Sequence, residues 1–332
     1  MLSQDGSQRQ RPRLAIVVYN TLTFIEETRR LLVLHVLASC STSVVLLTGT
    51  RIINTSMQDP YYNEKINGFL IFHFGYVTMA NKCAGVSIAL LECLFPLSCI
   101  VGVWGPKNRR TMGRWGAVRC KQGNDNDACF IVAYFPPAIS QKKNRIIFDA
   151  MLLEIQLFLD ALPARCIPVL GGDLNARFGF ERDIRGCWRP SAKPCIGDVA
   201  RENENLAGSL LRPQLAKRNL SLINTSWDAG DTYFDPNSTH KSRIDYLVLP
   251  NEFITDPNRI SCCKVFHKEG AQMQKIQSRF RADHRPLFTC VDLRLHFITA
   301  KSTLNGIVLP LFRHSVTALT LETPFSTQPK KG

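Results

Sequence analysis

Residues 166–175 read Cys-Ile-Pro-Val-Leu-Gly-Gly-Asp-Leu-Asn. The first five form a short apolar run of the kind that makes a buried strand, and Gly171-Gly172 is expected to end it. Asp173 is then left at the strand's exit, with Asn175 two residues further on. A carboxylate presented by a rigid strand end is well placed to serve a cleft. The same Asp also suits a plain turn after two glycines. The rest of the chain decides between these readings.

Three more polar islands stand at the ends of apolar runs. Residues 14–18 lead into Tyr19-Asn20, residues 243–246 read Arg-Ile-Asp-Tyr, and residues 281–286 read Arg-Ala-Asp-His-Arg-Pro before a last apolar run. Together the islands supply the carboxylates of Asp173, Asp245 and Asp283, the amides of Asn20 and Asn175, and the imidazole of His284. Carboxylate and amide oxygens suit a hard cation such as Mg²⁺. An Asp beside a His orients the ring. A general base, a phosphate-binding His and a hard metal are the parts of phosphodiester hydrolysis. Taken singly, Asn20 equally suits the N-cap of a following helix, Asp245 a sheet edge, and Asp283-His284 a surface pair.

Outward from the islands, strand-like and helical stretches alternate. Helical spacing is expected over residues 22–39, 139–161 and 200–218, and in the second of these Ile147, Met151, Ile155 and Phe158 share a face. Strands are expected near 44–47, 68–76, 85–90, 117–120, 128–134, 220–224, 244–249 and 286–295, with 68–76/85–90 and 117–120/128–134 as hairpins. Residues 54–67 and 181–199 read as loops, 105–114 as a basic turn, and 268–282 as a polar, basic segment. The class that follows is α/β (α+β), a two-layer sheet core flanked by helices. One domain over 13–295 is expected, between a basic tail at 1–12 and a poorly structured extension at 296–332.

The 332 residues carry 41 Lys plus Arg against 27 Asp plus Glu, a formal net charge of +14. A hydrophobic content of 45% is too high for a disordered chain. The excess charge serves either solubility or a polyanionic partner. Lys107, Arg109, Arg110, Arg114, Arg119 and Lys121 fall in one stretch without an acid, which reads as a backbone-binding groove or a solvated loop. Trp227 and Tyr233, just ahead of Asp245, suit either stacking on a base or internal packing. The 12 Cys show neither CxxC nor zinc spacing, which points to free thiols in a reducing compartment. The N-terminus has no apolar core, so no secretory signal is expected and the setting reads as intracellular, nuclear or cytoplasmic. Residues 84–104 are apolar but interrupted by Glu92 and Pro96, so no membrane span is expected.

Taken in order, the islands resemble those of the endonuclease/exonuclease/phosphatase superfamily. The particular likeness is to the apurinic-type endonuclease domain of non-LTR retrotransposons and craniofacial-development-like proteins. The matching elements are Gly172-Asp173 with Asn175, Ile244-Asp245-Tyr246, Asp283-His284 after Ala282 where the family has Ser, Tyr134 before Pro136-Pro137, and Asn20 at the end of the first strand. The likeness spans roughly residues 13–295. It implies a four-layer α-β-β-α sandwich, two mainly antiparallel sheets flanked by helices. It also implies hydrolysis of DNA with Mg²⁺ or Mn²⁺ and no obligate protein partner. By the same resemblance Asp173 activates or positions the attacking water, and Asn175 holds a phosphate oxygen or orients that water. His284 binds the scissile phosphate, Asp245 fixes its ring, and Tyr134 contacts the phosphate. Asn20 and Asp283 serve the metal. Arg109, Arg110, Arg114 and Arg243 are expected on the DNA.

One position departs from the pattern. The family carries its principal metal-ligand Glu in a Gln-Glu-Thr-Arg motif after the first helix. Residues 47–51 here read Leu-Thr-Gly-Thr-Arg, so Gly49 stands where that Glu is expected. Glycine offers no ligand, which should weaken the metal site and slow turnover. Two further readings follow: a catalytically inactive DNA-binding or interaction domain of the same fold, and a superfamily phosphatase acting on an inositol phosphate or lipid head group.

Overall fold

The first apolar run forms strand β1 (Leu14–Asn20), all of it buried. Its side chains alternate between two cores, Ile16 and Val18 on one face, Val17 and Tyr19 on the other. A strand covered on both faces needs such unbroken apolarity. The computed structural model describes residues 13–54, 59, 61–77, 84–121, 126–190, 195–199, 202–256, 258–275 and 283–295. The expected tail at 1–12, the extension from 296, and Arg281 and Ala282 lie outside the described residues.

In chain order there follow α1 (Glu27–Ser39), β2 (Val44–Thr48), β3 (Tyr62–Ile66), β4 (Phe69–Phe74), β5 (Val86–Leu91), β6 (Ile100–Trp104), β7 (Trp115–Lys121), β8 (Asp127–Tyr134), α2 (Lys142–Asp160) and β9 (Cys166–Asp173). Then come β10 (Gly179–Arg182), β11 (Trp188–Pro190), β12 (Glu202–Asn203), α3 (Leu206–Lys217), β13 (Leu220–Leu222), β14 (Tyr233–Phe234), β15 (Lys241–Ser242), β16 (Asp245–Pro250), α4 (Glu252–Thr255), β17 (Ile260–Val265), α5 (His267–Lys275) and β18 (Leu287–Val291).

Two large sheets result. One has 7 strands in the order β17-β18-β1-β2-β5-β4-β3, the other 6 in the order β13-β16-β9-β8-β7-β6. Within them β1–β2 and β8–β9 pair in parallel and the other neighbours are antiparallel. Val18, Leu46, Ile88, Phe130, Val169 and Leu247 belong to the core between the sheets. Val33, Leu34 and Leu37 of α1 cover the first sheet's outer face, while Met151 and Ile155 of α2 and Leu211 and Leu215 of α3 cover the second. Each such buried side chain contributes about 1.5–3 kcal/mol, which is what holds the helices to the sheets. The architecture is the four-layer α-β-β-α sandwich.

Several local expectations are corrected. β9 does not stop at Gly171-Gly172 but runs through both to Asp173. A Cβ at Gly171 would meet Leu46 and Val18 side-chain atoms at 2.7 Å, and one at Gly172 would lie 1.9 Å from Ala133 O. Gly171 therefore serves close approach of the other sheet and Gly172 that of the neighbouring strand β8, within a continuing strand. The loop expected at 54–67 contains edge strand β3, whose polar Asn63-Glu64-Lys65 pairs with β4 in antiparallel register. The loop at 181–199 contributes β10 and β11 to a small separate sheet. The helix expected from 22 begins at Glu27, after Glu26 at its N-cap, and residues 267–275 of the polar, basic segment form α5. Strand β17 falls where no strand was expected. Among the described residues no helix is long and apolar enough to cross a membrane.

Candidate active site

The strand ends converge at one edge of the sandwich. Asn20 ends β1 in the first sheet, and His284 precedes β18, which pairs with β1. In the second sheet Asp173 ends β9, with Tyr134 of β8 beside it in parallel register and Asp245 of β16 opposite it in antiparallel register. The sheets thus deliver the four islands to a single cleft of about 440 Å³. Asn20, Tyr134, Asp173, Asn175, Asp283 and His284 all line it.

The polar groups form a connected chain. His284 Nδ1 lies 3.1 Å from Asp245 Oδ2. Asn20 Nδ2 donates to Asp173 Oδ2 at 2.9 Å and stands 3.3 Å from His284 Nε2. Asp173 Oδ1 accepts from Asn175 N at 3.0 Å, and Asn20 Oδ1 from Leu22 N at 3.1 Å. Asn20 is therefore no helix cap; its amide bridges the two sheets. The core of the cluster is nearly sealed, with Asp245 at 0% exposure, Asn20 and Asp173 at 2% and His284 at 5%.

Burial, then the Asp245 charge, pushes Asp173 up to about 7. For His284 burial works against the charged ring. Asp245, with Asp173 and Asp283 beyond it, outweighs this and carries the ring up to about 9. At neutral pH the imidazole is therefore cationic. Its Nε2 and Asn20 Nδ2 are then both donors, and both need an acceptor: Asp173 or an oxygen of a bound ligand.

The donor set suits a divalent metal. Asp173 and Asp245 bring carboxylate oxygens within 4.8 Å of one another. Asp245 Oδ1 and Asp283 Oδ1 are buried without a hydrogen-bond partner. Orphaned carboxylate oxygens are what a hard divalent cation takes up. Burial also raises Asp283. Gly49 contributes nothing, and Asn20 Oδ1 lies 2.3 Å from where a Cβ at Gly49 would be.

The expected DNA-facing arginines separate. Arg109 and Arg110 are exposed on the turn between β6 and β7. Arg114 lies largely buried with its guanidinium 5.0 Å over the Tyr134 ring. Arg243 is corrected: it is 2% exposed, its Nη1 donates to Asn224 O at 2.6 Å and its Nε to Gly230 O at 3.2 Å. It is an internal brace behind Asp245. Of the remaining cations in the basic stretch, Arg119 is held by Asp127 at 2.9 Å. Tyr233 sets its ring 5.3 Å from that of His284, edge to face, and Trp227 packs on the inter-sheet core.

Two supports were missing from the sequence reading. Thr232 Oγ1 accepts from Asp245 N at 3.1 Å and Ile244 N at 3.2 Å, fixing the head of β16. Asn205 caps α3 by accepting from Gly208 N at 2.9 Å, and its Nδ2 reaches Asn175 O at 3.2 Å. An Asn directly ahead of a helical run is a cap signal, and it would have found Asn205. Nothing local marks Thr232.

A scan against protein-family models returned no match, and a search of curated proteins returned none either. Solved structures do match. The endonuclease domain of TRAS1, a telomere-specific non-LTR retrotransposon, aligns at 14% identity and TM-score 0.51, over 85% of this chain and 99% of that one. An AP endonuclease from Leishmania major aligns at 10% identity and TM-score 0.57, over 84% and 87%. A 3′ phosphatase from Neisseria, solved with a product DNA hairpin, aligns at 15% identity and TM-score 0.55, over 84% and 99%. The chain has the endonuclease/exonuclease/phosphatase fold. Within it, the similar structures are nucleases and phosphatases.

Proposed function

We infer that this chain is a metal-dependent phosphodiester hydrolase acting on DNA, of retroelement endonuclease type. The observation that carries the reading is the chain Asp245–His284–Asn20–Asp173, held at strand ends in one cleft. A likeness in fold to nucleases, the order of the four islands and the +14 charge support it.

Asp173 suits the general base. A carboxyl near 7 accepts a water proton at neutral pH far better than one held near 4. Cationic His284, fixed by Asp245, offers Nε2–H to a phosphate oxygen. Asn175 and Tyr134 stand at the same edge for the remaining phosphate contacts. Asp283 and Asn20 would hold Mg²⁺ or Mn²⁺, with water in the place of the missing Glu. A bound cation neutralises charge that gathers on the phosphate.

The test is nicking of supercoiled plasmid in Mg²⁺ or Mn²⁺. Asp173→Asn and His284→Ala should each lower the rate by about a hundredfold or more. Nicking that survives both variants would sink the assignment. A second reading, a DNA-binding domain of the same fold with little or no turnover, draws on Gly49. It predicts retained DNA affinity in wild type with no metal-dependent nicking. Release of inorganic phosphate from inositol phosphates without DNA affinity would instead favour a phosphatase.

A further inference from the structure

A second cleft, of about 330 Å³, opens on the outer face of the second sheet. Trp104, Trp115, Phe158 and Leu157 form its apolar walls, with Lys107 at its edge and Glu154 within it. Trp104 sits 5.4 Å from the Phe158 ring, and Trp115, buried at 4% exposure, sits 5.6 Å from the same ring. Trp104 is 36% exposed and Leu157 61%. A Cβ at Gly102 would fall 2.1 Å from the Trp104 indole, so the glycine lets that ring lie against its own strand.

The cleft is built rather than incidental. Glu154 accepts from Asn108 N at 3.1 Å, Thr111 Oγ1 at 2.8 Å and Trp115 Nε1 at 2.9 Å. Those bonds hold the 105–114 turn against α2 and use up the carboxylate's acceptors. The same turn presents Lys107, Arg109 and Arg110 to solvent. Aromatic faces beside a row of cations, with the one nearby acid engaged, complement a base with its adjoining phosphates.

The position links this cleft to the first. Trp115 belongs to the second cleft, and the preceding residue, Arg114, lies over Tyr134 of the first. Tyr134 N also donates to Arg114 O at 2.7 Å. Across β7–β8, Trp115 pairs with Ala133, the residue before Tyr134, with Trp115 packed on the outer core and Tyr134 on the inter-sheet core.

We propose that the Trp104–Phe158–Trp115 cleft is a stacking subsite for an unpaired nucleobase of DNA, with Lys107, Arg109 and Arg110 on the adjoining phosphates. The preferred substrate would then carry a single-stranded stretch. The proposal rests on the nucleic-acid reading of the first cleft.

The test measures binding of the full chain in EDTA, where cutting is suppressed. The probes are a short single-stranded DNA, a base-free deoxyribose-phosphate oligomer of equal length, and anionic phospholipid vesicles. Wild type should prefer the base-bearing strand. Trp104→Ala should weaken that binding about tenfold, leave the base-free oligomer unchanged, and Trp104→Phe should keep most of the affinity. Replacing Lys107, Arg109 and Arg110 together with Ala should flatten the salt slope by about two. Equal binding of the two oligomers, or loss of vesicle binding alone in Trp104→Ala, would overturn the subsite. Circular dichroism of each variant separates lost binding from lost folding. Plasmid nicking is scored separately, so absent nicking with Trp104-dependent strand binding counts against the hydrolase and not against the subsite.

Discussion

Asn20 fills the space that a side chain at Gly49 would need: its Oδ1 stands 2.3 Å from the position of a Cβ there. The backbone at Gly49 is left-handed as well, with φ +63°. Placing an acid at this position is therefore more than an addition of one ligand. Gly49→Glu should lose about 1–3 kcal/mol of stability from the left-handed backbone and the clash. It should not by itself raise Mg²⁺-dependent nicking. Adding Asn20→Ala should recover part of the loss, a coupling of about 1 kcal/mol in a double-mutant cycle by urea unfolding. A single variant as stable as wild type that nicks faster would show that the loop re-forms around the new acid.

The Asp173 and His284 pair sets a pH window for the proposed reaction. Asp173 must be ionised to accept a proton, and it sits at about 7. His284 must be protonated to donate, and it sits at about 9. The rate should rise with pH through about 7 and fall through about 9. Asp245→Asn removes the ring's bonded anion, so the alkaline limb should move to lower pH. Both groups are raised above their ordinary values of 3.8 and 6.5, so each contributes stability at low pH that is lost as pH rises through its folded value. A nicking profile with no alkaline limb would remove His284 from the proposed role.

How much of this was legible in the sequence depended on whether a residue's role follows from its place in a pattern. Asn20, Asp173, Asp245 and His284 could be read because each ends or begins an apolar run, and strand ends share an edge. Arg243 stands close to Asp245 in the same island and was misread. The two are separated by Ile244, and what buries Arg243 is its pairing with the Asn224 and Gly230 carbonyls, which lie outside the island. The Gly171-Gly172 pair was taken as a stop because glycine usually breaks a strand. Here the pressure comes from Leu46 and Val18 of the other sheet and Ala133 of the neighbouring strand, which are distant in sequence. β3 was unreadable for a related reason: an edge strand can be polar, since its ladder bonds are made by the backbone whatever its side chains. Gly49 was legible as a position with no side chain to offer a metal. That Asn20 occupies the space depends on a contact between separate strand ends.

His73 gives a stability test away from the cleft. It is fully buried in β4, with Nδ1 2.8 Å from Ser87 Oγ and Nε2 2.8 Å from Glu64 Oε1. Burial lowers its pKa although Glu64 opposes the shift. The bond to His73 in turn lowers Glu64. Both groups contribute stability that is full above their ordinary values, 6.5 and 4.5, and is lost as pH falls through the lowered ones. Urea unfolding should show stability declining from pH 6.5 downward. His73→Gln should flatten the first part of that decline, and an unchanged slope would remove His73 as its source.

Arg243 separates bracing from DNA contact. Its guanidinium donates to the carbonyls of Asn224 and Gly230, and Asn224 Nδ2 in turn donates to Asp245 O at 3.1 Å. Its backbone N is held by Glu202 Oε1 at 3.1 Å. Arg243→Ala leaves these buried carbonyls unpaired, and should cost about 3 kcal/mol in urea unfolding. Because Asp245 loses part of its support, nicking should fall as well. The salt dependence of DNA binding should stay as in wild type, since no phosphate contact is removed. Arg109→Ala and Arg110→Ala should do the reverse: stability within about 0.5 kcal/mol of wild type, and a salt slope shallower by about one each. If Arg243→Ala shifts the salt slope while stability holds, the guanidinium reaches the DNA and the bracing role is wrong.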